Sequence, residues 1–245
     1  MPERVPDLKL PSSLFSRLVS KAILAVMVAV GAMICRVRRR SDGVGNFDGI
    51  NQCVIAANHY SLFDTPMIFL ALPHRLRKRT VTVGGLDFFR PRPEHPFLER
   101  TWRRLVIWFI RGSMNVALID RVGGNYSKFD LLEDVVKAGW NLLIFPEATR
   151  SRDGSQGRFH LGAGEIVRRN DLPLVPTRIE GTQQVLPPGA AWPRSGHIRI
   201  RFGTPMQVHD EETAGGFTQR IVQTIREIKV ENDVSSCVET QGTIH

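Results

Sequence analysis

The stretch IAANHYSLFD, Ile55 to Asp64, begins as a buried strand and stops abruptly at polar residues. Val54, Ile55, Ala56 and Ala57 are apolar; Asn58 and His59 follow at once, and Asp64 stands five residues beyond the histidine. Either the strand has reached the surface there, or its end points into a reaction site.

Working outward, the chain from Gly43 onward alternates short apolar strands with helical stretches. Strands are expected at Cys53–Ala57, Thr80–Val83, Val116–Ile119, Leu142–Phe145, Leu174–Thr177 and Ile198–Phe202. Helices are expected near Thr65–Leu72, Tyr126–Ala138, Ala163–Arg169 and Glu211–Val230. In the second of these, Asp130, Glu133, Asp134 and Lys137 form a polar face backed by Leu131, Leu132, Val135 and Val136. Such alternation predicts an α/β fold with a central, largely parallel sheet flanked by helices. The expected division is an N-terminal segment 1–42, a catalytic domain 43–232 and a polar, disordered tail 233–245.

The composition of the 245 residues is globular, 42% hydrophobic and 23% charged, without repeats or low-complexity tracts. A formal charge of +9 favours an anionic partner, and nucleic acid, anionic lipid and phosphorylated small molecules all qualify. No nucleic-acid-binding module is recognisable, which sets nucleic acid aside. Three scattered cysteines, Cys35, Cys53 and Cys237, suit a reducing compartment and form no disulfide framework. With no CxxC or HExxH spacing, no metal site is expected.

Ala22 to Cys35 is an unbroken apolar run of roughly 14 residues, about 21 Å long as a helix and short of the roughly 20 residues a bilayer span needs. The half before it is amphipathic, with Leu14, Phe15, Leu18 and Val19 opposed to Ser16, Arg17, Ser20 and Lys21. RVRRR, Arg36 to Arg40, follows directly as a basic cluster suited to anionic headgroups. A signal peptide is disfavoured, because Met33 and Ile34 are bulky and no A-x-A follows. A buried helix of a soluble domain is the plain alternative. The arginine flank favours membrane association, either interfacial or as a short tilted span, with the rest of the chain on the cytoplasmic side.

Each of three strands ends in reactive residues: Asn58-His59 after Ala57, Asp120-Arg121 after Ile119, and PEATRSR, Pro146 to Arg152, after Phe145. In open α/β sheets ligands bind at the C-terminal ends of strands, so these groups gather on one rim. A histidine there is a competent general base if a partner orients its ring, and Asp64 is the candidate. Residues five apart diverge by about 140° on a regular helix, so the pair meets only if His59 lies in the turn and Asp64 starts the helix. Asp64-Thr65-Pro66 fits a helix start with aspartate as N-cap. The plainer reading makes Asp64 a cap and His59 a loop residue. Ser61 lacks the glycines of a nucleophile elbow, so a substrate hydroxyl is the better proton donor. Arg121, Arg150 and Arg152 are placed to grip phosphate, and Glu147 to hold either a substrate hydroxyl or these arginines.

These motifs together resemble the glycerolipid and lysophospholipid acyltransferases, the family that includes 1-acyl-glycerol-3-phosphate acyltransferases. The family's HxxxxD motif preceded by Asn is similar to NHYSLFD here, its I-D-R motif to NVALIDR at Asn115–Arg121, and its FPEGTRS motif to FPEATRS at Phe145–Ser151. Its fourth motif, an apolar stretch around a proline, resembles LPLVPTRIEGT with Pro176. The resemblance spans roughly residues 49–204. It implies that His59, held by Asp64, deprotonates the acceptor hydroxyl for direct attack on an acyl thioester. It implies phosphate binding by Arg121, acceptor positioning by Glu147, Thr149 and Arg150, and a donor side shaped by Pro176. No cofactor or metal is implied; the donor is acyl-CoA or acyl-carrier protein, and membrane lipids are the expected partners. Lysophosphatidate is the implied acceptor, with glycerol 3-phosphate or another lyso-lipid, or a non-catalytic anionic-lipid-binding role, as alternatives. This chain departs from the family pattern in having Ala148 for glycine, Asn115 and Leu118 in the second motif, and His160-Leu161 after Phe159.

Overall fold

Apolar runs with no polar interruption occupy the middle of a seven-stranded sheet, where both faces are covered. A computed structural model describes residues 13–34, 37–85, 96–119, 128–146, 162–187, 190 and 193–229. Its elements in chain order are α1 (Leu14–Ile34), β1 (Val37–Asp42), a 3₁₀ turn (Val44–Phe47), β2 (Val54–Ala57), α2 (Asp64–Ala71), α3 (His74–Arg77) and β3 (Thr80–Gly85). They continue with α4 (Phe97–Met114), β4 (Val116–Ile119), α5 (Lys128–Lys137), β5 (Asn141–Ile144), α6 (Gly162–Asn170), β6 (Leu174–Glu180), α7 (Thr182–Val185), β7 (Gly196–Phe202) and α8 (Ala214–Glu227).

The strand order is β1-β7-β6-β2-β5-β3-β4, and every pairing is parallel except β6 with β7. The expected central, largely parallel sheet is therefore present. Side chains alternate between its two faces. Val54, Ala56, Leu142 and Leu174 pack under α5, α6 and α8, where Val135, Ile166, Phe217 and Ile221 meet them. Ile55, Ala57, Leu143 and Val175 face the other way, toward α2 and the 3₁₀ turn carrying Phe47. Outside α2 on that second face, Phe69, Leu24, Met114 and Val116 cluster, joining α1 and α4 to the body.

The main correction concerns RVRRR. The sequence places Arg38, Arg39 and Arg40 beside a membrane segment, but Val37–Asp42 is an edge strand paired in register with Gly196–Arg201. The sheet thus begins inside the segment 1–42 expected to lie apart from it. An edge strand needs backbone bonding on one side only, so a run of arginines serves well and discourages edge-to-edge association. The expected span is corrected too: among the described residues, no helix is long and apolar enough to cross a membrane. The expected tail, 233–245, lies outside the described residues.

Two glycines are required by geometry. Gly181, at φ +89°, turns β6 into α7, and a Cβ there would lie 1.9 Å from the His197 carbonyl oxygen. Gly43, at φ +74°, has the Phe202 carbonyl oxygen 2.1 Å from the place of a Cβ. Both hold loops tightly against β7.

Cys53 precedes β2 and is fully buried, and burial pushes its thiol up to about 12. At pH 8 the thiol is almost wholly protonated, so it is not a nucleophile. Iodoacetamide at pH 8 is expected to leave Cys53 unlabelled in the native protein and to label it after denaturation, read by peptide mass spectrometry.

Candidate active site

β2 carries the site because its apolar residues end at Ala57 and the next residues must leave a covered sheet. Asn58 makes that exit rigid. Its side-chain oxygen accepts from the Ile179 amide at 2.8 Å, and its Nδ2 donates to the Ile179 carbonyl at 2.8 Å. This two-bond clamp ties the end of β2 to β6, and it is buried. The turn after it is held by Ser61, whose hydroxyl donates to the Leu186 carbonyl at 2.9 Å and accepts from the Phe63 amide at 3.2 Å.

His59 and Asp64 meet as the spacing requires. His59 Nδ1 lies 2.8 Å from Asp64 Oδ2. The aspartate is fully buried, while the His59 side chain keeps 19% of its surface exposed. The same Oδ2 accepts from the Tyr60 amide at 2.6 Å and the Ser61 amide at 2.8 Å. Asp64 is the first residue of α2, with Phe63 in the capping position, so its carboxylate turns back onto the preceding turn instead of capping the helix. That corrects the expected N-cap, and the reason is visible: the amides of Tyr60 and Ser61 point at the oxygen first. The position in the first turn also suits a negative charge.

A carboxylate only accepts hydrogen bonds, so Nδ1 of His59 carries the proton and Nε2 presents a lone pair. The ring plane is fixed a second time by Phe145, stacked on it at 4.2 Å between centroids and 23° between planes. With its ring held by both contacts, His59 is pre-oriented as a base toward anything approaching the rim. Neither Asn58 nor Phe145 was assigned a role from sequence. Asn58 offered a signal, a buried-strand exit through an amide. Phe145 offered none, because its place depends on β5 lying beside β2, with Ala56 opposite Ile144.

Of the other expected site residues, Pro176 lies within β6, paired with Ala56 and buried, its carbonyl accepting from the Gly203 amide at 2.7 Å. Arg121, Glu147, Thr149 and Arg150 lie outside the described residues. The strands that precede them, β4 and β5, run parallel to β2 through the β5–β3–β4 ladder, so their C-terminal ends share its rim. No group of histidine, cysteine and acidic side chains suited to a metal ion occurs among the described residues.

A family profile described as Acyltransferase matches residues 38–180. The chain is 35% identical over 158 residues to the chloroplastic 1-acyl-sn-glycerol-3-phosphate acyltransferase BAT2 of Brassica napus, covering 63% of this chain and 40% of that one. It is 27% identical over 169 residues to a 1-acyl-sn-glycerol-3-phosphate acyltransferase of Cocos nucifera, covering 66% of this chain and 48% of that one. The match thus spans less than half the length of these relatives. Among solved structures, the 1-acyl-sn-glycerophosphate acyltransferase PlsC of Thermotoga maritima shares the fold, with a TM-score of 0.61, 18% identity, and coverage of 88% of this chain and 82% of that one.

Proposed function

Since the chain belongs to the acyltransferase family, we propose that it moves a fatty acyl group from a thioester to the free hydroxyl of lysophosphatidate, giving phosphatidate. The observation that carries this reading is the 2.8 Å contact of His59 with a buried Asp64 at the rim of a parallel sheet. In the proposed reaction, Nε2 of His59 takes the proton of the acceptor hydroxyl as that oxygen attacks the thioester carbonyl carbon. Asp64 stabilises the imidazolium that forms. The tetrahedral intermediate collapses with cleavage of the C–S bond, the thiolate leaves and recovers the proton, and ester and free thiol are released. Arg121 is proposed to hold the acceptor phosphate, with Glu147, Thr149 and Arg150 placing the glycerol portion and Pro176 shaping the donor side. The resemblance to relatives named for this acceptor supports lysophosphatidate over other lyso-lipids.

The acceptor is a membrane lipid, and the surface supports a membrane-docked enzyme. Phe97, Leu98, Trp102, Leu105 and Trp108 of α4 are exposed, as are Phe15, Leu18 and Val26 of α1. The two helices are joined by a 2.7 Å bond from Trp108 Nε1 to Ser16 Oγ, so these side chains belong to one paired apolar surface. Next to it, partial burial and then the charges of Arg17, Lys78 and Arg77 hold the Lys21 ammonium below its usual range. Such crowding of cations favours anionic headgroups. Each of these large side chains contributes about 1.5–3 kcal/mol when fully buried. Trp102→Asp together with Leu105→Asp is therefore expected to weaken sedimentation with phosphatidylglycerol vesicles by at least about ten-fold. Activity on a short-chain, water-soluble acceptor is expected to persist.

The test of the reaction itself is incubation of the purified chain, in lipid micelles, with palmitoyl-CoA and lysophosphatidate. Phosphatidate is the expected product. If neither palmitoyl-CoA nor a palmitoyl-carrier protein yields acylated product with any lyso-lipid, the reading fails in favour of non-catalytic lipid binding.

A further inference from the structure

We propose that one face of strands β6, β7 and β1 is the docking surface for an acidic acyl-carrier protein that delivers the thioester. This rests on the acyl-transfer reading above. The pairings set which side chains share the face. Arg178 lies opposite Arg201, Glu180 opposite Arg199, Arg40 opposite Arg199, and Asp42 opposite Arg201. Arg38 lies opposite His197 in the same alternation. Their sequence neighbours Ile179, Ile198, Ile200 and Phe202 are buried on the other face.

This face is strongly basic. Arg38, Arg40, Arg178, Arg199 and Arg201 stand there with only Asp42 and Glu180 as carboxylates on the same strand positions. Arg40 pairs with Asp42 at 3.3 Å and Arg178 with Glu180 at 3.0 Å, and Arg201 donates to the Lys229 carbonyl at 2.8 Å. With those contacts formed, an excess of positive charge remains, and Arg38, Arg40 and His197 are exposed.

Its position selects the partner. The basic side chains stand on the side of the sheet covered elsewhere by α5, α6 and α8. The apolar surface of α1 and α4 is on the opposite side, tied to the sheet through Val116 and Phe69. A bilayer seated on that apolar surface leaves the basic face turned to the aqueous side, where its counterpart is a soluble anionic macromolecule. The face is open strand surface two strand spacings wide, about 10 Å, which matches one helix of a protein. A small nucleotide is better held in a cleft. The face also begins at the reactive rim. β6 runs parallel to β2 with Thr177 opposite Ala57, so Glu180, and Arg199 beside it, lie toward the His59 end. From β2 to β1 is three spacings, about 14 Å, a span that a flexible acyl-bearing arm crosses from the edge.

The experiment compares palmitoyl-carrier protein with palmitoyl-CoA as donors to lysophosphatidate, using the full chain, Arg38→Glu/Arg199→Glu and Arg38→Lys/Arg199→Lys. The charge reversal is expected to raise KM for the carrier-protein donor about ten-fold or more, because docking here is electrostatic. KM for palmitoyl-CoA is expected to stay within about two-fold. The lysine pair is expected to restore the carrier-protein KM, and added salt to raise it in the unmodified protein. Equal effects on both donors, or none on either, overturn the proposal. So does a reversal that weakens vesicle binding while leaving the carrier-protein KM unchanged. Binding of labelled palmitoyl-carrier protein to the full chain, read by fluorescence anisotropy, separates the two readings. Binding lost on charge reversal supports docking even if no donor is turned over, an outcome that sinks only the catalytic reading.

Discussion

Replacing His59 with alanine is expected to lower the rate of phosphatidate formation by about 10²–10⁴-fold, the usual contribution of a general base. The ring is the one group at the rim that combines a lone pair facing outward with a buried carboxylate behind it. Removing it costs the fold little. The Asn58 clamp to Ile179 does not involve the imidazole, and Asp64 keeps the Tyr60 and Ser61 amides as donors. One hydrogen bond and the stack on Phe145 are lost, so stability should fall by about 1–2 kcal/mol. Initial rates with palmitoyl-CoA, set beside thermal unfolding, check both parts. A variant that unfolds at nearly the native temperature yet still makes phosphatidate at the native rate would remove His59 from the chemistry. Vesicle binding by this variant should be unchanged, since the apolar surface of α1 and α4 does not include residue 59.

The parts of this fold that depend on local apolar pattern were legible before any coordinates. Val54–Ala57, Asn141–Ile144 and Leu174–Glu180 are short apolar runs because each is covered on at least one face for its whole length, and the expected strands coincide with them within a few residues. The site pair was legible as well, since the turn geometry that lets residues five apart meet is written in a strand end followed by Asp-Thr-Pro. What resisted reading was whatever depends on a neighbour distant in sequence. β1 has no apolar face of its own, and its identity as a strand comes from backbone pairing to β7, over 150 residues later. In β7 the alternation of His197, Arg199 and Arg201 with Ile198, Ile200 and Phe202 signals a strand covered on one side only. Which strand it joins is not in that pattern. The Asn58–Ile179 clamp and the Phe145 stack on His59 likewise follow from strand order, which single-chain periodicity does not carry.

Substituting Asp64 by asparagine and by alanine separates catalysis from folding at the second residue of the pair. The carboxylate is fully buried, and one oxygen, Oδ2, takes all three donors. Its other oxygen, Oδ1, is buried without a hydrogen-bond partner among the described residues. Asparagine is nearly the same size and, with its oxygen in the Oδ2 position, still accepts from Tyr60, Ser61 and His59. Its amino group then takes the place of Oδ1 and leaves a buried donor unsatisfied, at a cost of about 1–3 kcal/mol. The opposite rotamer is worse, because it sets the amino group against three donors. Charge is the larger loss. A neutral amide neither holds the imidazolium formed in the transition state nor secures the tautomer with Nε2 free, so kcat is expected to fall about 10²–10⁴-fold with little change in KM. Alanine should be equally slow and less stable than the native protein by about 2–4 kcal/mol, since the Tyr60 and Ser61 amides lose their acceptor in a buried turn. Rates and unfolding midpoints for both variants decide the role. If asparagine is nearly as fast as the native protein while alanine is merely unstable, Asp64 only holds the turn. If both are slow and asparagine remains folded, the carboxylate's charge is part of the reaction.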